Sequence, residues 1–147
     1  MYFTVYGADL ANTADKVVLI TGGSSGIGLA TVQLLLSLSP RNRVATLDRT
    51  APPASLTSSI SPDRLFFHQF DLTSWTAQGA GFKPAVTKFQ RVDAGVAGAG
   101  INERRLQSFT DQFDDGQLQE PDNTVMHVTL SAVADAVKAW NPSYKVE

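Results

Sequence analysis

The residues whose types and spacing could do chemistry begin near the start of the chain. Thr21-Gly22-Gly23-Ser24-Ser25-Gly26-Ile27-Gly28 sets glycines at 22, 26 and 28 with two hydroxyls between them. Gly22 allows a tight turn, Gly26 lets backbone approach a bulky anion, and Gly28 permits close packing of a following helix. Ser24 and Ser25 add hydroxyl donors. A diphosphate is held this way when a strand precedes the turn and a helix follows, because a helix N-terminus presents unpaired N–H groups. Asp48 stands 20 residues beyond Gly28, at the offset where an acidic residue accepts from the adenosine ribose of a dinucleotide. The competing reading of Asp48 is a turn aspartate capping the next segment. A carboxylate there repels a 2′-phosphate and favours NAD, whereas Arg49 would attract that phosphate and keeps NADP open.

The elements around these residues meet the condition. Residues 16–21 (KVVLIT) form a continuous apolar run of the kind buried on both faces of a parallel sheet. Residues 27–38 read as a helix stopped by Ser39-Pro40. Residues 43–48 (RVATLD) and 64–70 (RLFFHQF) read as strands, with 50–62, rich in Ser, Thr and Pro, as an exposed loop between them. Asp71 and Thr73-Ser74 offer caps for a helix to about residue 90, weakened by Gly79, Gly81 and Pro84. Residues 92–97 read as a fourth strand leaving through the small turn Ala97-Gly98-Ala99-Gly100, and 101–120 as polar loop. Asp122 or Asn123 caps a last helix to about Trp140, stopped by Asn141-Pro142. Alternating strands and helices predict a parallel sheet with helices on both faces, joined by right-handed crossovers.

Composition narrows the classes. The 147 residues amount to about one domain, residues 1–147, with 1–14 as an N-terminal extension and 141–147 as a tail. Hydrophobic residues make up 43%, an ordinary share, while the 18% that are charged fall below the roughly 25% of soluble domains and imply faces meant to be covered. A net charge of −2 with no basic stripe argues against nucleic acid. Without cysteine there is no disulfide or thiolate site, and His68 and His127 lack a metal-ligand spacing. No apolar run is long enough to span a bilayer, and residues 1–14 lack the features of a signal peptide, so a soluble cytoplasmic protein is expected.

TGGSSGIG, with the later Asp71-Leu72 and the turn at residues 97–100, resembles the short-chain dehydrogenase/reductase family over residues 16–140. The resemblance implies a Rossmann-like, doubly wound sheet and hydride transfer between NAD(P) and an alcohol or ketone. It implies that Gly22, Ser24, Ser25, Gly26, Ile27, Gly28, Asp48, Arg49, Asp71, Leu72, Gly98, Ala99 and Gly100 line the cofactor, with Asp71 reading the adenine edge. A helix cap is the other reading of Asp71. The sequence is similar in flavour to fungal biosynthetic members. Relative to the family the chain stops where a fifth strand would begin, which predicts about four strands in the order 3-2-1-4 and an open edge on the fourth.

The family's chemistry needs a tyrosine with a lysine four residues on, whose ammonium lowers the phenol's pKa. Tyr2 is followed at that spacing by Tyr6 and Tyr6 by Leu10, while Tyr144 has Lys145 beside it, about 100° away on a helix. Gly98 stands where the family has asparagine, and Thr129 takes the place of the family's catalytic asparagine. No catalytic residue is therefore assigned. Projected as one helix from Val125, the polar residues His127, Ser131, Asp135 and Lys138 share a narrow arc. The rest, including Met126, Leu130, Val133, Val137 and Trp140, forms an apolar arc of about 240°. One sheet contact covers much less, so the helix over 122–140 is expected to have a second packing partner, and the resemblance implies a second copy, since in the family this helix helps form the subunit interface. Thr129 falls inside that arc, where it would bond a carbonyl of its own helix. His127 reads as a surface histidine, His68 has no visible partner, and the charged run from Asn102 to Asp115 reads as a solvated loop.

Four readings follow. The chain is a dinucleotide-binding half with little or no redox activity of its own, or a dimerising regulatory module. It could instead reuse the crevice for isomerisation or cyclisation, or be a truncated product without a selected role.

Overall fold

In the computed structural model the described residues are 12–102 and 113–140. Tyr2, Tyr6, Tyr144 and Lys145, and most of the charged run after Asn102, lie outside them. Four parallel strands, β1 (Val17–Thr21), β2 (Arg43–Asp48), β3 (Leu65–Gln69) and β4 (Ala94–Ala97), form one sheet in the order β3-β2-β1-β4. The central pairing runs from Val17 opposite Arg43 to Thr21 opposite Leu47, so the C-terminal ends of β1 and β2 finish level.

Strand alternation explains why both faces are covered. Val18, Ile20, Val44 and Leu65 point to one face, where Val32 and Leu36 of α1 (Gly26–Leu38) complete a buried cluster. Val17, Leu19, Ala45 and Leu47 point to the other, against Phe70, Leu72, Ala85, Phe89, Ala132 and Ala136. The chain changes faces between β3 and β4, as the strand order requires. This is the doubly wound Rossmann-like arrangement.

Several local expectations are corrected. The segment over 50–62 is not all loop: Ala54–Ser59 makes a short helix, α2, that buries Leu56 against the first cluster. The helix expected from residue 73 to 90 is two, α3 (Trp75–Gly81) and α4 (Lys83–Phe89). Gly81 presses on Phe70, where a Cβ would stand 2.4 Å from the ring, and Pro84 begins the next helix. The capping residue of α3 is Ser74, which accepts from the Ala77 amide at 3.2 Å. The fourth strand starts at Ala94, two residues later than expected. Phe113–Asp114 (β5) and Gln117–Leu118 (β6) pair as a small antiparallel hairpin inside the stretch read as loop.

The last helix is not one regular helix. Thr124–Met126 (α5) leads into a π-turn over His127–Ser131 and then into α6 (Ala132–Ala139). A π-turn adds a residue to one turn, so the two ends are out of phase with any projection at 100° per residue. Ala132 and Ala136 meet the sheet cluster, while Met126, Leu130 and Val137 are 52%, 60% and 61% exposed. Trp140 lies on Gly95 of β4 so closely that a Cβ there would stand 0.8 Å from the indole.

Candidate functional site

The C-terminal ends of β1, β2 and β4, and the loop after β3, open into one cleft of about 600 Å³. The glycine turn lies at its centre. Gly22 has φ +73° and donates its N–H to the Leu47 carbonyl at 2.8 Å; a Cβ on it would stand 2.6 Å from Ala99 Cα. Gly28 lies under Gly22, where a Cβ would come within 2.0 Å of the Gly22 carbonyl oxygen. What Gly28 admits is thus the loop's own carbonyl. Gly26, with φ +52°, has nothing within 4 Å of its Cβ position and lines the cleft.

Asp48 ties the β2 end to this turn. Its Oδ2 accepts from the Ser24 amide at 3.0 Å, and its Oδ1 accepts from the Thr50 amide at 3.2 Å. It therefore makes the turn contact of the competing reading and still lines the cleft, beside Arg49. Asp71 does the same after β3. Its Oδ1 accepts from the Thr73 hydroxyl at 2.7 Å and the Thr73 amide at 2.9 Å. The hydroxyl bond first, then the amide bond, holds the carboxyl below the usual range for an aspartate; slight desolvation opposes them and the nearby Arg49 charge adds to them.

Twelve of the thirteen residues expected to line a cofactor, Gly22, Ser25, Gly26, Ile27, Gly28, Asp48, Arg49, Asp71, Leu72, Gly98, Ala99 and Gly100, do line this cleft. Ser24 does not. Its amide serves Asp48, and its hydroxyl is buried without a hydrogen-bond partner among the described residues, as is that of Thr46. Sequence reasoning missed the far wall, built by Ile101, Asn102, Thr124 and Val128. The placing of Thr129 is also corrected. Its hydroxyl donates to the Ile101 carbonyl at 3.2 Å and accepts from the Ile101 amide at 3.3 Å, rather than bonding its own helix. Nothing local in the sequence signals a bond across 28 residues. His68 stacks parallel to Phe66 with ring centres 6.5 Å apart, and His127 is exposed. No group of three or more potential metal ligands occurs among the described residues, and no helix among them is long and apolar enough to cross a membrane.

A parallel sheet in this order, with a glycine turn opening α1 and an acidic residue ending β2, defines a Rossmann-type dinucleotide-binding fold. The family model "short chain dehydrogenase" matches residues 16–145, and the chain belongs to that family. It is 39% identical over 129 residues to the short-chain dehydrogenase/reductase ascJ of Acremonium egyptiacum, covering 88% of this chain and 42% of that protein. The short-chain dehydrogenase/reductase ATR7 of Stachybotrys chlorohalonatus is 36% identical over 121 residues, covering 82% of this chain and 34% of its own length. Among solved structures, a short-chain dehydrogenase/reductase from Brucella melitensis superposes with a TM-score of 0.68 at 21% identity, over 86% of this chain and 50% of that one. The chain thus spans less than half the length of these two relatives, and half of the solved structure.

Proposed function

We propose that residues 1–147 form a single dinucleotide-binding domain that takes NAD in preference to NADP, and that the chain has little hydride-transfer activity of its own. The observation that carries the first part is the open front of Gly26, at the start of a 13-residue helix, within a cleft that Asp48 and Asp71 also line. The residues present fit the cofactor: backbone amides at Gly26 and Ile27 would hold its phosphates, Asp48 its ribose hydroxyls, and Asp71 and Leu72 its adenine. Oδ1 of Asp48 already accepts from the Thr50 amide and hydroxyl, while Oδ2 accepts only from the Ser24 amide among the described residues, which leaves Oδ2 a lone pair for ribose. The preference for NAD rests on that carboxylate.

Bound NAD(P) supplies hydride chemistry. The second part of the proposal is that this chain's residues do not supply the matching proton, because no tyrosine in the 147 residues has a lysine four positions on. The substrate class implied by the family is an alcohol or ketone, and a more distant relative, the 5'-hydroxyaverantin dehydrogenase of Dothistroma septosporum, supports a secondary-metabolite one. The setting proposed for this reading is the cytoplasm.

Titration calorimetry with NAD⁺ and NADP⁺ tests the reading. Heat with NAD⁺, weaker heat with NADP⁺, and loss of both in Gly26→Ala are expected; folded protein that binds neither nucleotide would refute it. Turnover of a panel of secondary alcohols would refute the missing proton relay.

A specific observation favours a second role beside the first. The exposed side chains of Met126, Leu130 and Val137 leave an apolar surface on the last helix that the described residues do not cover, which supports self-association through residues 122–140.

A further inference from the structure

The turn that ends β2 is held from the neighbouring strand. A regular parallel strand sends successive carbonyls to opposite sides. The Leu47 carbonyl accepts from the Gly22 amide on the β1 side at 2.8 Å, and the Asp48 carbonyl accepts from the Phe70 amide on the β3 side at 2.9 Å. The next carbonyl, that of Arg49, breaks the alternation. It accepts at 3.2 Å from Nε2 of Gln69, the last residue of β3 and the one opposite Asp48 in the register.

The Arg49–Thr50 peptide is trans, so its carbonyl and its N–H point in opposite directions. Gln69 holds the carbonyl. The N–H goes to Asp48 Oδ1 at 3.2 Å, beside the Thr50 hydroxyl at 3.4 Å. Two side chains therefore grip the two ends of one peptide group. The grip occupies Oδ1 of Asp48, while Oδ2 takes the Ser24 amide at 3.0 Å. Gln69 is exposed and does not itself line the cleft, whereas Asp48, Arg49 and Thr50 do.

Resting on the dinucleotide reading above, we infer that Gln69 is a positioning residue for the Asp48 carboxylate, and through it for the choice between a free and a phosphorylated 2′-hydroxyl on the adenosine ribose. A fixed carboxylate accepts from a free hydroxyl and repels a phosphate at the same point. Once the peptide is free to turn, Oδ1 loses its amide and the carboxylate swings away from that point. The hydroxyl then loses a placed acceptor, and the phosphate is spared a placed repulsion.

The test measures NAD⁺ and NADP⁺ binding to the full chain and to Gln69→Met, which keeps the length of the side chain and removes its donor. At an exposed position the substitution leaves the core intact. NAD⁺ should weaken roughly three- to tenfold, the worth of one hydrogen bond, while NADP⁺ stays within about twofold. A merely structural role would weaken both nucleotides alike. That result, or any other in which the preference for NAD⁺ does not shrink, overturns the inference. Solvent exchange of the Thr50 amide, read by NMR without ligand, is independent of binding. It should be faster in Gln69→Met, and an unchanged rate overturns the grip itself. If the wild-type chain binds neither nucleotide, the dinucleotide reading fails and the positioning role with it, while the exchange result still decides whether Gln69 holds the turn.

Discussion

Gly26 and Gly28 are two residues apart, and a methyl group placed on each meets different surroundings. At Gly26 it enters open cleft, at a left-handed φ that costs an L-residue about 1 kcal/mol. At Gly28 it runs into backbone, the Gly22 carbonyl oxygen at 2.0 Å, which cannot swing aside. Gly26→Ala should therefore keep most of its thermal stability while losing nucleotide, and Gly28→Ala should lose several degrees in Tm as well. A melting curve of each variant separates the two. Asp71 offers a second prediction. Its two bonds from Thr73 favour the carboxylate, so it contributes stability above the ordinary carboxylate range that disappears as pH falls through its lowered folded value. Thr73→Ala should move the Asp71 pKa back up toward the ordinary value, read by NMR titration of the carboxyl carbon, and shrink the part of the stability that acid removes. Asp48 and Asp71 were legible in the sequence because each sits at a fixed offset from the turn or a strand end. The burial of Ser24 was not, because the side to which a loop hydroxyl turns depends on Asp48 capturing the neighbouring amide.

Elements differ in how far the sequence betrays them. The first three strands were legible within one or two residues, since continuous apolar runs bounded by Gly, Pro and polar residues leave little choice. The short α2 was hidden by its Ser and Thr content, and it holds its place through one buried residue, Leu56. The π-turn was illegible for a different reason. Its register is set by tertiary partners, chiefly Thr129 on Ile101 and Trp140 on Gly95. Gln78 is a third. Fully buried on α3, it donates to the Leu72 carbonyl at 2.6 Å and to the Ala132 carbonyl at 3.1 Å, tying the loop after β3 to the first residue of α6. Gln78→Leu should remove both of these buried hydrogen bonds and cost about 1–3 kcal/mol in denaturant unfolding, offset in part because the unpartnered Oε1 of Gln78 goes with it. The loosened α6 should also show in faster exchange of the amides over 132–139.

At the scale of the whole molecule, the sheet is covered on both faces but not on every side. All four residues of β4 are exposed, and among the described residues that strand pairs only with β1. Beside it the last helix buries Ala132 and Ala136 and leaves Met126, Leu130 and Val137 in solvent, three large apolar groups on a chain whose charged share is already low. Exposed apolar side chains are the ground of the self-association proposed above. If a second copy covers it, Leu130→Glu with Val137→Glu should place like charges face to face across the two-fold axis and abolish association. Neither side chain lines the cleft, so nucleotide binding should survive the pair of substitutions. Sedimentation at rising concentration reads the outcome: a concentration-dependent dimer in the wild type and a monomer in the double variant. Persistence of the dimer in that variant would move the contact to the unpaired edge of β4, where main-chain hydrogen bonds rather than side chains would join the copies and a glutamate on the helix would have no effect.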